Sequence, residues 1–207
     1  MSKHKESSDS LAHPIVEPAH IVVPESRRTA GDYFALALAT CGVGLIPVAP
    51  GTWGSAVGVV LYLGLGYFAQ RVFDFAVTRG LDLAPQQFPA IMTTVLLLVI
   101  LTVALAGIWA ATRAEKLLGK KDPGAVVVDE VAGQLITFLF VPWQTTWTWT
   151  VALGFIAFRV FDIWKPYPIR RLEGLGGGLG IMADDMLAGF YAATAMSLLV
   201  TLRLLYY

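Results

Sequence analysis

Acidic residues embedded in apolar segments constrain this chain more than any other feature of its sequence. They form three clusters: Asp129-Glu130 inside the run Ala125–Val141, Asp162 at the end of Trp147–Phe161, and Asp184-Asp185 at the start of Met186–Leu202. A charge at membrane depth costs several kcal/mol on most scales, so such residues are rare and usually line a functional cavity. Because three apolar segments bring carboxylates to a similar depth, the sequence predicts one shared polyanionic site. Hard cations such as Mg²⁺ take this kind of oxygen ligand.

The composition is typical of an integral membrane protein. Hydrophobic residues make up 56% of the chain and charged residues only 14%, which is far too apolar for an ordinary soluble domain. Lys and Arg together number 15, as do Asp and Glu. The net charge therefore indicates no particular partner, and we expect no nucleic acid. Cys41 is the only cysteine, which excludes a disulfide framework and a CxxC site.

The chain divides into a polar tail and an apolar domain. Residues 1–30 are polar and lack periodicity, so we interpret them as a disordered cytoplasmic tail, and residues 31–207 as the membrane-embedded catalytic domain. The first apolar run, Tyr33–Ile46, is short of the ~20 residues that a spanning helix needs. It meets Pro47–Gly51, which cannot continue a helix. The sequence predicts an all-α, polytopic integral membrane helical bundle with one broken or re-entrant N-terminal segment.

Five longer apolar runs are predicted to be membrane segments. They are Trp53–Gln70, Ala90–Thr112, Ala125–Val141, Trp147–Phe161 and Met186–Leu202, with a polar loop predicted at 71–89. Segments 113–124 and 162–180 carry dense Lys and Arg, which indicates that they are cytoplasmic, and the hairpin tip at 142–146 is then outside. With the loops oriented in this way, the ends of the apolar runs that carry the four polar motifs all lie at the cytoplasmic leaflet.

The first motif, Pro50–Ser55, stands at the head of a predicted helix. Thr52 or Ser55 can cap that helix, and its free N–H groups and dipole attract an anion such as phosphate. A simple capped turn explains the same residues, so the pattern leaves both interpretations open.

The second motif is a polar stripe that begins in the first acidic cluster. Glu130, Gln134 and Thr137 are spaced i, i+4 and i+7, so they share one face of an otherwise apolar helix. Gly133 allows a neighbouring helix to approach closely. A carboxylate that merely reaches the interface from a helix end is the alternative. Two adjacent acids on one polar stripe favour a functional site.

The third motif joins an acid to basic residues. Arg159, Asp162 and Lys165 are three apart, which predicts that they share one helical face. Asp162 would then contact a metal and Lys165 a phosphate, although a local ion-pair ladder is an alternative. Arg170 and Arg171 follow at headgroup depth, where they either bind anionic lipid or act only as topology charges.

The fourth motif is Gly176–Gly180 followed by Asp184-Asp185. The Lys-Ser/Thr pair of a Walker loop does not follow the glycines, so we interpret them as a flexible lid or turn. Acids at a helix start are often capping residues. Two other acidic clusters at the same depth favour at least one metal ligand in this pair.

Several kinds of phosphate chemistry are excluded by missing residues. Pro47 stands where a cysteine phosphatase built on Cys41 needs an arginine, the tail holds every histidine, and no Asp-x-Asp pair precedes an apolar strand. Metal-assisted attack by water on phosphorus remains. Mg²⁺ would offset phosphate charge and lower the pKa of its bound water, and a carboxylate, Asp129 or Asp184, would take the proton.

Four motifs, in this order, resemble those of the phosphatidylglycerophosphatase A family over about residues 32–205. They are Gly51-Thr52-Trp53-Gly54-Ser55, Asp129-Glu130-Val131-Ala132-Gly133, Asp162-Ile163-Trp164-Lys165-Pro166 with Pro168-Ile169, and Asp184-Asp185. The resemblance implies a bacterial inner-membrane, Mg²⁺-dependent, mostly helical enzyme. It also implies that the substrate is phosphatidylglycerophosphate, an anionic phospholipid whose terminal phosphate is removed to give phosphatidylglycerol.

The predicted site residues fall into three overlapping groups. The metal ligands are Asp129, Glu130, Asp162, Asp184 and Asp185; the catalytic residues are Asp129, Glu130, Asp162, Lys165 and Asp184; the substrate-binding residues are Thr52, Ser55, Arg159, Lys165, Arg170 and Arg171.

Two other functions compete with the phosphatase. A lipid phosphotransferase with an alcohol acceptor would carry more closely spaced acids on one helix. A cation-coupled transporter with a helix broken at Pro47–Gly51 would show internal repeats. The sequence indicates no oligomeric state.

Overall fold

The protein is built from α-helices. The computed structural model describes residues 28–82, 84–143 and 148–206, and these ranges contain seven α-helices and no β-strand. The helices are α1 (Ala30–Thr40), α2 (Pro50–Thr78), α3 (Gln87–Leu118), α4 (Val128–Thr137), α5 (Thr148–Trp164), α6 (Ile169–Leu172) and α7 (Gly177–Tyr206). The predicted all-α fold is confirmed. The tail predicted at 1–30 lies outside the described residues except for its last three positions.

The N-terminal segment is broken, as predicted. Thr29 and Asp32 form a capping box that starts α1, and Cys41 and Gly42, both at positive φ, end it. Eleven residues rise only about 16 Å, so α1 is too short to cross a bilayer. A 3₁₀ turn over Val43–Leu45 follows, and Pro50 then starts α2 at a position where a helix tolerates proline.

Three helices are long and apolar enough to cross a membrane among the residues described: α2, α3 and α7, with 29, 32 and 30 residues. The prediction of a loop over 71–89 is too long, because α2 continues to Thr78 and α3 begins at Gln87. Local contacts extend them, because Gln70 Nε2 donates to Asp74 Oδ1 at 2.8 Å and the Phe73 and Phe88 rings pack edge-on at 5.3 Å. The basic segment predicted at 113–124 is likewise helical to Leu118.

The prediction of one membrane helix over Ala125–Val141 is wrong in its length. The helix α4 has ten residues and therefore rises about 15 Å, half of what a spanning helix requires. Turns carry the chain on to Trp143, whose ring packs 5.6 Å from the Tyr62 ring of α2. The chain then returns as α5, and most of the predicted hairpin tip at 142–146 lies outside the described residues.

Small residues bring α4, α5 and α7 into close contact. A Cβ added to Gly133 would stand 2.5 Å from the Asp185 carbonyl oxygen and 2.8 Å from Cζ of Phe158, and a Cβ on Gly189 would stand 2.9 Å from Gly133 Cα. These backbones can approach only because the side chains are missing. The predicted role of Gly133 in close helix packing is confirmed.

The lid or turn predicted at Gly176–Gly180 is instead mostly helix. The helix α7 begins at Gly177, and Gly178 N–H donates to Thr112 Oγ1 of α3 at 2.9 Å. A Cβ on Gly178 would stand 2.6 Å from that oxygen, so the glycine serves close packing between helices. The pair Asp184-Asp185 consequently lies about two turns inside α7 and does not cap it.

The contacts between helices define two ends of the bundle. The N-termini of α2, α4 and α7 and the C-termini of α3 and α5 meet at one end, which we call the site end. There a Cβ on Gly54 of α2 would stand 2.8 Å from Val127 Cβ, and Lys165 after α5 reaches α7. The apolar core lies towards the other end, where Phe73, Phe88 and Val200 belong to one buried cluster.

Candidate active site

Three carboxylates meet where α4 crosses α7. Asp129 and Glu130 occupy the first turn of α4, and Asp185 projects from α7. One carboxylate oxygen from each lies within 4.8 Å of the others. The close backbone contact at Gly133 and Gly189 places the helices so that these acids face each other. Asp129 and Asp185 are only 8% and 4% exposed, so the cluster is inside the protein.

The remaining two acids adjoin this cluster. The carboxyl group of Asp185 lies close enough to that of Asp162, on α5, for the two to interact, and it also interacts with Asp184. Asp129 interacts with Asp184 in turn. The structure therefore brings all three acidic clusters of the sequence together at the site end, although they are separated by up to two helices along the chain.

The acids leave buried oxygens without hydrogen-bond partners. Within the described part of the chain, Asp129 Oδ1, Glu130 Oε2 and Asp184 Oδ1 have none. A buried charge is costly unless it is paired or coordinates a metal. Several carboxylate oxygens that converge in one place are the donors that Mg²⁺ and other hard divalent cations prefer. The residues present therefore fit a divalent metal site.

Arg159 links the acids to the start of α2. Its Nη1 lies 2.6 Å from Asp162 Oδ2 and 3.4 Å from Ser55 Oγ. Gly51 makes room for this arrangement: a Cβ there would stand 3.0 Å from Arg159 Nη1 and would collide with Glu130 Oε1. The predicted ion-pair spacing of Arg159 and Asp162 is thus observed on α5.

The predicted helix cap at the start of α2 is wrong. The N-cap is Ala49, in the left-handed region with φ 49°, and it makes no side-chain capping bond. Ser55 Oγ donates to Gly51 O at 2.9 Å, whereas Thr52 is exposed and its N–H donates to Ala49 O at 2.9 Å. Ser55 therefore reaches the site through Arg159. Thr52 lies on the surface.

Lys165 does not share a helical face with Arg159 and Asp162 as predicted. The helix α5 ends at Trp164, and Lys165 follows it in the left-handed region with φ 45°, because the residue before a proline is disfavoured in a helix. Its Nζ lies 2.7 Å from Asp184 Oδ2 and 2.8 Å from Glu173 Oε1. Burial lowers the pKa of Lys165, but the bonds to Asp184 and Glu173 outweigh burial and raise it above its usual value. The ammonium group is therefore protonated at neutral pH.

Arg170 and Arg171 belong to a basic pocket next to Lys165. The pocket has a volume of about 380 Å³, and Trp164, Tyr167 and the two prolines around Tyr167 complete its walls. Arg170 Nη2 donates to Trp164 O at 3.3 Å, and the Arg171 guanidinium lies 4.8 Å from the centre of the Tyr167 ring. Neither arginine forms an ion pair with the acidic cluster among the described residues.

An acidic pocket opens beside Asp184, and the sequence reasoning missed it. Its volume is about 370 Å³, and its charged lining residues are Glu115, Lys121, Asp122, Glu173 and Asp184. Glu173 is the residue of greatest interest because it binds Lys165. It is the only acid in 163–180, a basic stretch, and that isolation was a signal that could have drawn attention to it.

The predicted polar stripe on α4 extends from the acids into the bundle. Gln134 and Thr137 are fully buried. Thr137 Oγ1 donates to Gly133 O at 3.0 Å, but neither polar atom of the Gln134 side chain has a partner among the described residues. The stripe therefore holds unsatisfied polar atoms one turn below Glu130.

Comparison with known proteins decides the family. A family model described as phosphatidylglycerophosphatase A matches residues 36–200. The chain belongs to the phosphatidylglycerophosphatase A family. The family resemblance seen in the motifs is confirmed, as is the prediction that this protein is an enzyme, a phosphatase.

Curated relatives cover most of the chain. It is similar to phosphatidylglycerophosphatase A of Escherichia coli, with 30% identity over 177 residues, 85% of this chain and 88% of the relative. It is similar to that of Haemophilus influenzae, with 36% identity over 73% of this chain and 78% of the relative. A Bacteroides thetaiotaomicron protein, provisionally named phosphatidylinositol-3-phosphatase, is 41% identical over 73% of this chain and 83% of its own length. No solved structure matches the chain.

Proposed function

We propose that this protein is a Mg²⁺-dependent phosphatase that hydrolyses the terminal phosphate of phosphatidylglycerophosphate to give phosphatidylglycerol. The observation that carries the proposal is the convergence of five carboxylates with Lys165 and Arg159 at one end of a membrane helix bundle. Two relatives named phosphatidylglycerophosphatase A support the choice of lipid. The predicted setting is the cytoplasmic leaflet of a bacterial inner membrane.

The carboxylates would hold the metal. Asp129, Glu130 and Asp185 place oxygens close enough to share one ion, with Asp162 and Asp184 beside them. When bound, Mg²⁺ supplies charge to offset the phosphate and lowers the pKa of a coordinated water. Arg159 keeps Asp162 in position through their 2.6 Å ion pair.

Asp184 is the better placed of the two predicted bases. One of its oxygens binds Lys165 and the other, Oδ1, has no partner among the described residues. Asp184 also lines the acidic pocket, whereas Asp129 does not. In the reaction, a water oxygen bonds to phosphorus while Asp184 takes a proton from that water, the bond from phosphorus to the glycerol oxygen breaks, and the glycerol oxygen takes up a proton to become the hydroxyl of phosphatidylglycerol.

Lys165 would bind the phosphate. Lys165 lines the basic pocket, where Arg170 and Arg171 attract an anionic headgroup. Its ammonium group also pairs with Glu173 and Asp184, which line the acidic pocket, and that pocket repels an anion. We therefore propose that the lipid phosphate enters from the basic side. The contact with Lys165 is charge-assisted and strengthens as charge develops on the phosphate oxygens.

The reaction is tested by phosphate release from phosphatidylglycerophosphate in detergent, with Mg²⁺ and with a chelator, in water enriched in ¹⁸O. We expect release only with Mg²⁺ and one labelled oxygen in the phosphate. Full activity with the chelator would contradict the metal, and unlabelled product esterified to an added alcohol would indicate the phosphotransferase. Transport of a cation without phosphate release would indicate the transporter.

The headgroup is tested with a panel of lipid phosphates. The 41% identity to a protein named phosphatidylinositol-3-phosphatase makes phosphatidylinositol 3-phosphate the necessary competitor. We expect kcat/KM to be highest for phosphatidylglycerophosphate. A higher value for the inositol lipid would reassign the substrate while leaving the phosphatase chemistry intact.

The side of the membrane is tested by cysteine labelling in a Cys41→Ser background. Lys120→Cys lies at the site end, and Arg79→Cys lies between α2 and α3 at the other end. The proposal expects an impermeant reagent to label the first only from the cytoplasm and the second only from outside. The reverse pattern would overturn the predicted orientation.

A further inference from the structure

A groove on the outer face of α3 is separate from the active site. Its volume is about 580 Å³, within the range of about 300–1,000 Å³ typical of small-molecule sites, and both apolar and charged residues line it. Its lining residues are Asp32, Leu105, Ile108, Trp109, Thr112, Arg113, Lys116 and Leu117. The opposite face of α3, with Gly107, Ala111 and Ala114, packs into the bundle. The groove therefore opens away from the acidic cluster of the active site.

The apolar part of the groove continues an exposed stripe along α3. Leu98, Leu101, Leu105 and Trp109 are each at least 44% exposed, and their spacing of three or four residues puts them on one face of the helix. In a helix that crosses a membrane, such a stripe faces acyl chains. The Phe34 ring of α1 packs against the Trp109 ring, with the ring centres 6.0 Å apart.

The same stripe becomes basic at the site end. Arg113 and Lys116 follow Trp109 at the same helical spacing, and both are exposed. A phospholipid has this arrangement of an apolar chain below a charged phosphate. A lone lysine or arginine at a helix end is common at membrane interfaces, but here two basic residues line one groove together with Leu105 and Trp109.

Asp32 neutralises only part of the positive charge of Arg113 and Lys116, and it holds the Arg113 side chain in position. Its Oδ1 lies 2.6 Å from Arg113 Nε, and its Oδ2 accepts bonds from the N–H and hydroxyl of Thr29 at 2.7 and 2.8 Å. The bonds from Thr29, and then the one from Arg113, hold the pKa of Asp32 at about 2, so it is ionised. Asp32 pairs with Arg113 through Nε, and the two terminal nitrogens of the guanidinium form no ion pair with an acid among the described residues. Lys116 has no ion-pair partner among the described residues.

We propose that this groove is a binding site for an intact anionic phospholipid of the bilayer, with its phosphate on Arg113 and Lys116 and an acyl chain along Leu105 and Trp109. Charge complementarity selects the occupant, since two cations and one paired acid leave a net positive rim. A zwitterionic lipid would bring an additional cation to that rim and gain less. The site is independent of the hydrolysis proposed above, because none of its residues touches the acidic cluster.

Photocrosslinking from inside the groove tests the proposal. The full-length protein carries p-benzoylphenylalanine at Leu105 and is placed in vesicles of phosphatidylethanolamine with a minor fraction of phosphatidylglycerol. We expect phosphatidylglycerol among the captured lipids to exceed its bulk fraction by about fivefold, the effect of one uncompensated basic residue near a membrane surface. Capture in the bulk proportion would overturn the proposal.

Matched variants locate the preference. Val60 of α2 is also lipid-exposed and lies a comparable number of turns from the site end, and a crosslinker there should capture lipids in the bulk proportion. Lys116→Gln, which leaves the Arg113–Asp32 pair intact, should lower the enrichment at Leu105 severalfold. Lys120→Gln with Lys121→Gln removes two charges beyond α3, outside the groove, and should leave the enrichment unchanged.

Three outcomes would contradict the site. Equal enrichment at Val60 and Leu105 would indicate a general anionic shell, and loss of enrichment in the Lys120 and Lys121 variant would indicate a diffuse surface potential. Complete competition by glycerol phosphate would indicate a site for soluble phosphate. A Lys116→Gln protein with undiminished enrichment would remove the proposed headgroup contact.

Discussion

The two ends of the helix bundle are packed by opposite kinds of chemistry. Towards the end away from the site, Tyr62 stacks on Phe138 at 4.4 Å and Phe73 meets Phe88 edge-on, within one apolar cluster that also includes Val200. At the site end, the same helices α2, α4 and α7 meet through glycines, buried acids and two basic residues. One end contributes stability, and the other keeps costly polar groups where chemistry needs them.

The apolar end of the bundle allows this small membrane protein to carry a polar site at the other end. Asp129, Glu130 and Asp184 each have an oxygen without a partner in the described part of the chain. Such oxygens are destabilising in the absence of a cation, so the rest of the bundle must hold the helices together. Substitutions at the site end should therefore change turnover, and substitutions at the other end should change stability. Five predictions test that division, in order of decreasing effect on activity.

The largest effect is expected from the carboxylates. Glu130→Gln, Asp162→Asn, Asp184→Asn and Asp185→Asn should each reduce Mg²⁺-dependent phosphate release by at least about 1,000-fold, because the metal supplies several kcal/mol of charge stabilisation. Thermal unfolding of Glu130→Gln in detergent should change little or shift upward, since Glu130 Oε2 has no partner among the described residues. Near-normal turnover in any two of these variants would rule out a shared site.

Lys165 should come next. Lys165→Ala removes the cation that we propose binds the phosphate and should lower kcat by roughly 100–1,000-fold, the usual cost of losing one electrostatic stabiliser. Lys165→Arg should recover only part, because a planar guanidinium does not replace a compact ammonium group. Steady-state kinetics across a substrate series separates kcat from KM. A raised KM with unchanged kcat would reassign Lys165 to headgroup docking.

Two glycines of the same helix give a matched pair. Gly51→Ala would force a Cβ against Glu130 and Arg159, so we expect a loss of about 10–100-fold in kcat, as when a second-shell contact is disturbed. A Cβ on Gly64 meets nothing within 4 Å. Gly64→Ala should keep full activity and gain up to about 1 kcal/mol in stability. Equal activity in both variants would mean that the space around Gly51 is unimportant.

Glu173 should have a smaller effect of opposite sign. It shares Lys165 with Asp184 and would therefore compete with the phosphate that we propose Lys165 binds. Glu173→Gln should lower KM a few-fold, because an exposed charge pair is worth about 0.2–1 kcal/mol. Glu115→Gln removes the same charge from the same pocket without touching Lys165, and its KM is the reference. A shared decrease in KM would point to the charge of the pocket as a whole.

The smallest effect on activity is expected at the other end of the bundle. Phe138→Leu removes the ring stacked on Tyr62 and should lower stability by about 1 kcal/mol beyond any change in buried area. Its kcat and KM should match those of the unmodified enzyme. The measurement is thermal unfolding beside phosphate release, and a fall in kcat at the optimal temperature would show that the two ends are coupled.

The broken N-terminal segment and the long apolar helices were predictable from local patterns. Pro50 begins α2 at a position where covalent geometry tolerates proline, and the capping box of Thr29 and Asp32 uses neighbouring residues. The sequence predicts shorter helices than α2 and α3, because the polar residues after Gln70 are typical of a loop. Pairs such as Gln70 with Asp74 satisfy those residues on the helix surface.

Other features could not be predicted because they depend on distant residues. The helix α4 is buried against α2, α3, α5 and α7, so the bilayer does not set its length. The glycines after Leu175 pack against Thr112 of α3, a contact that 66 residues of sequence separate. Lys165 leaves the helical face of Arg159 because Pro166 follows it, and only α7 supplies its partner Asp184.

The sequence alone determined the chemistry that this protein can carry. Apolar runs with few other charges predict a membrane helix bundle. The acids within them predict one shared functional site, because a charge buried in a membrane segment is costly and therefore rare. The tertiary structure decided which atoms meet. It paired Arg159 with Asp162 and Ser55, directed Lys165 to Asp184 and Glu173, and left three carboxylate oxygens without partners among the residues that the structure describes. Those choices depend on how closely helix backbones approach at Gly51, Gly133 and Gly189, a distance that no local pattern contains.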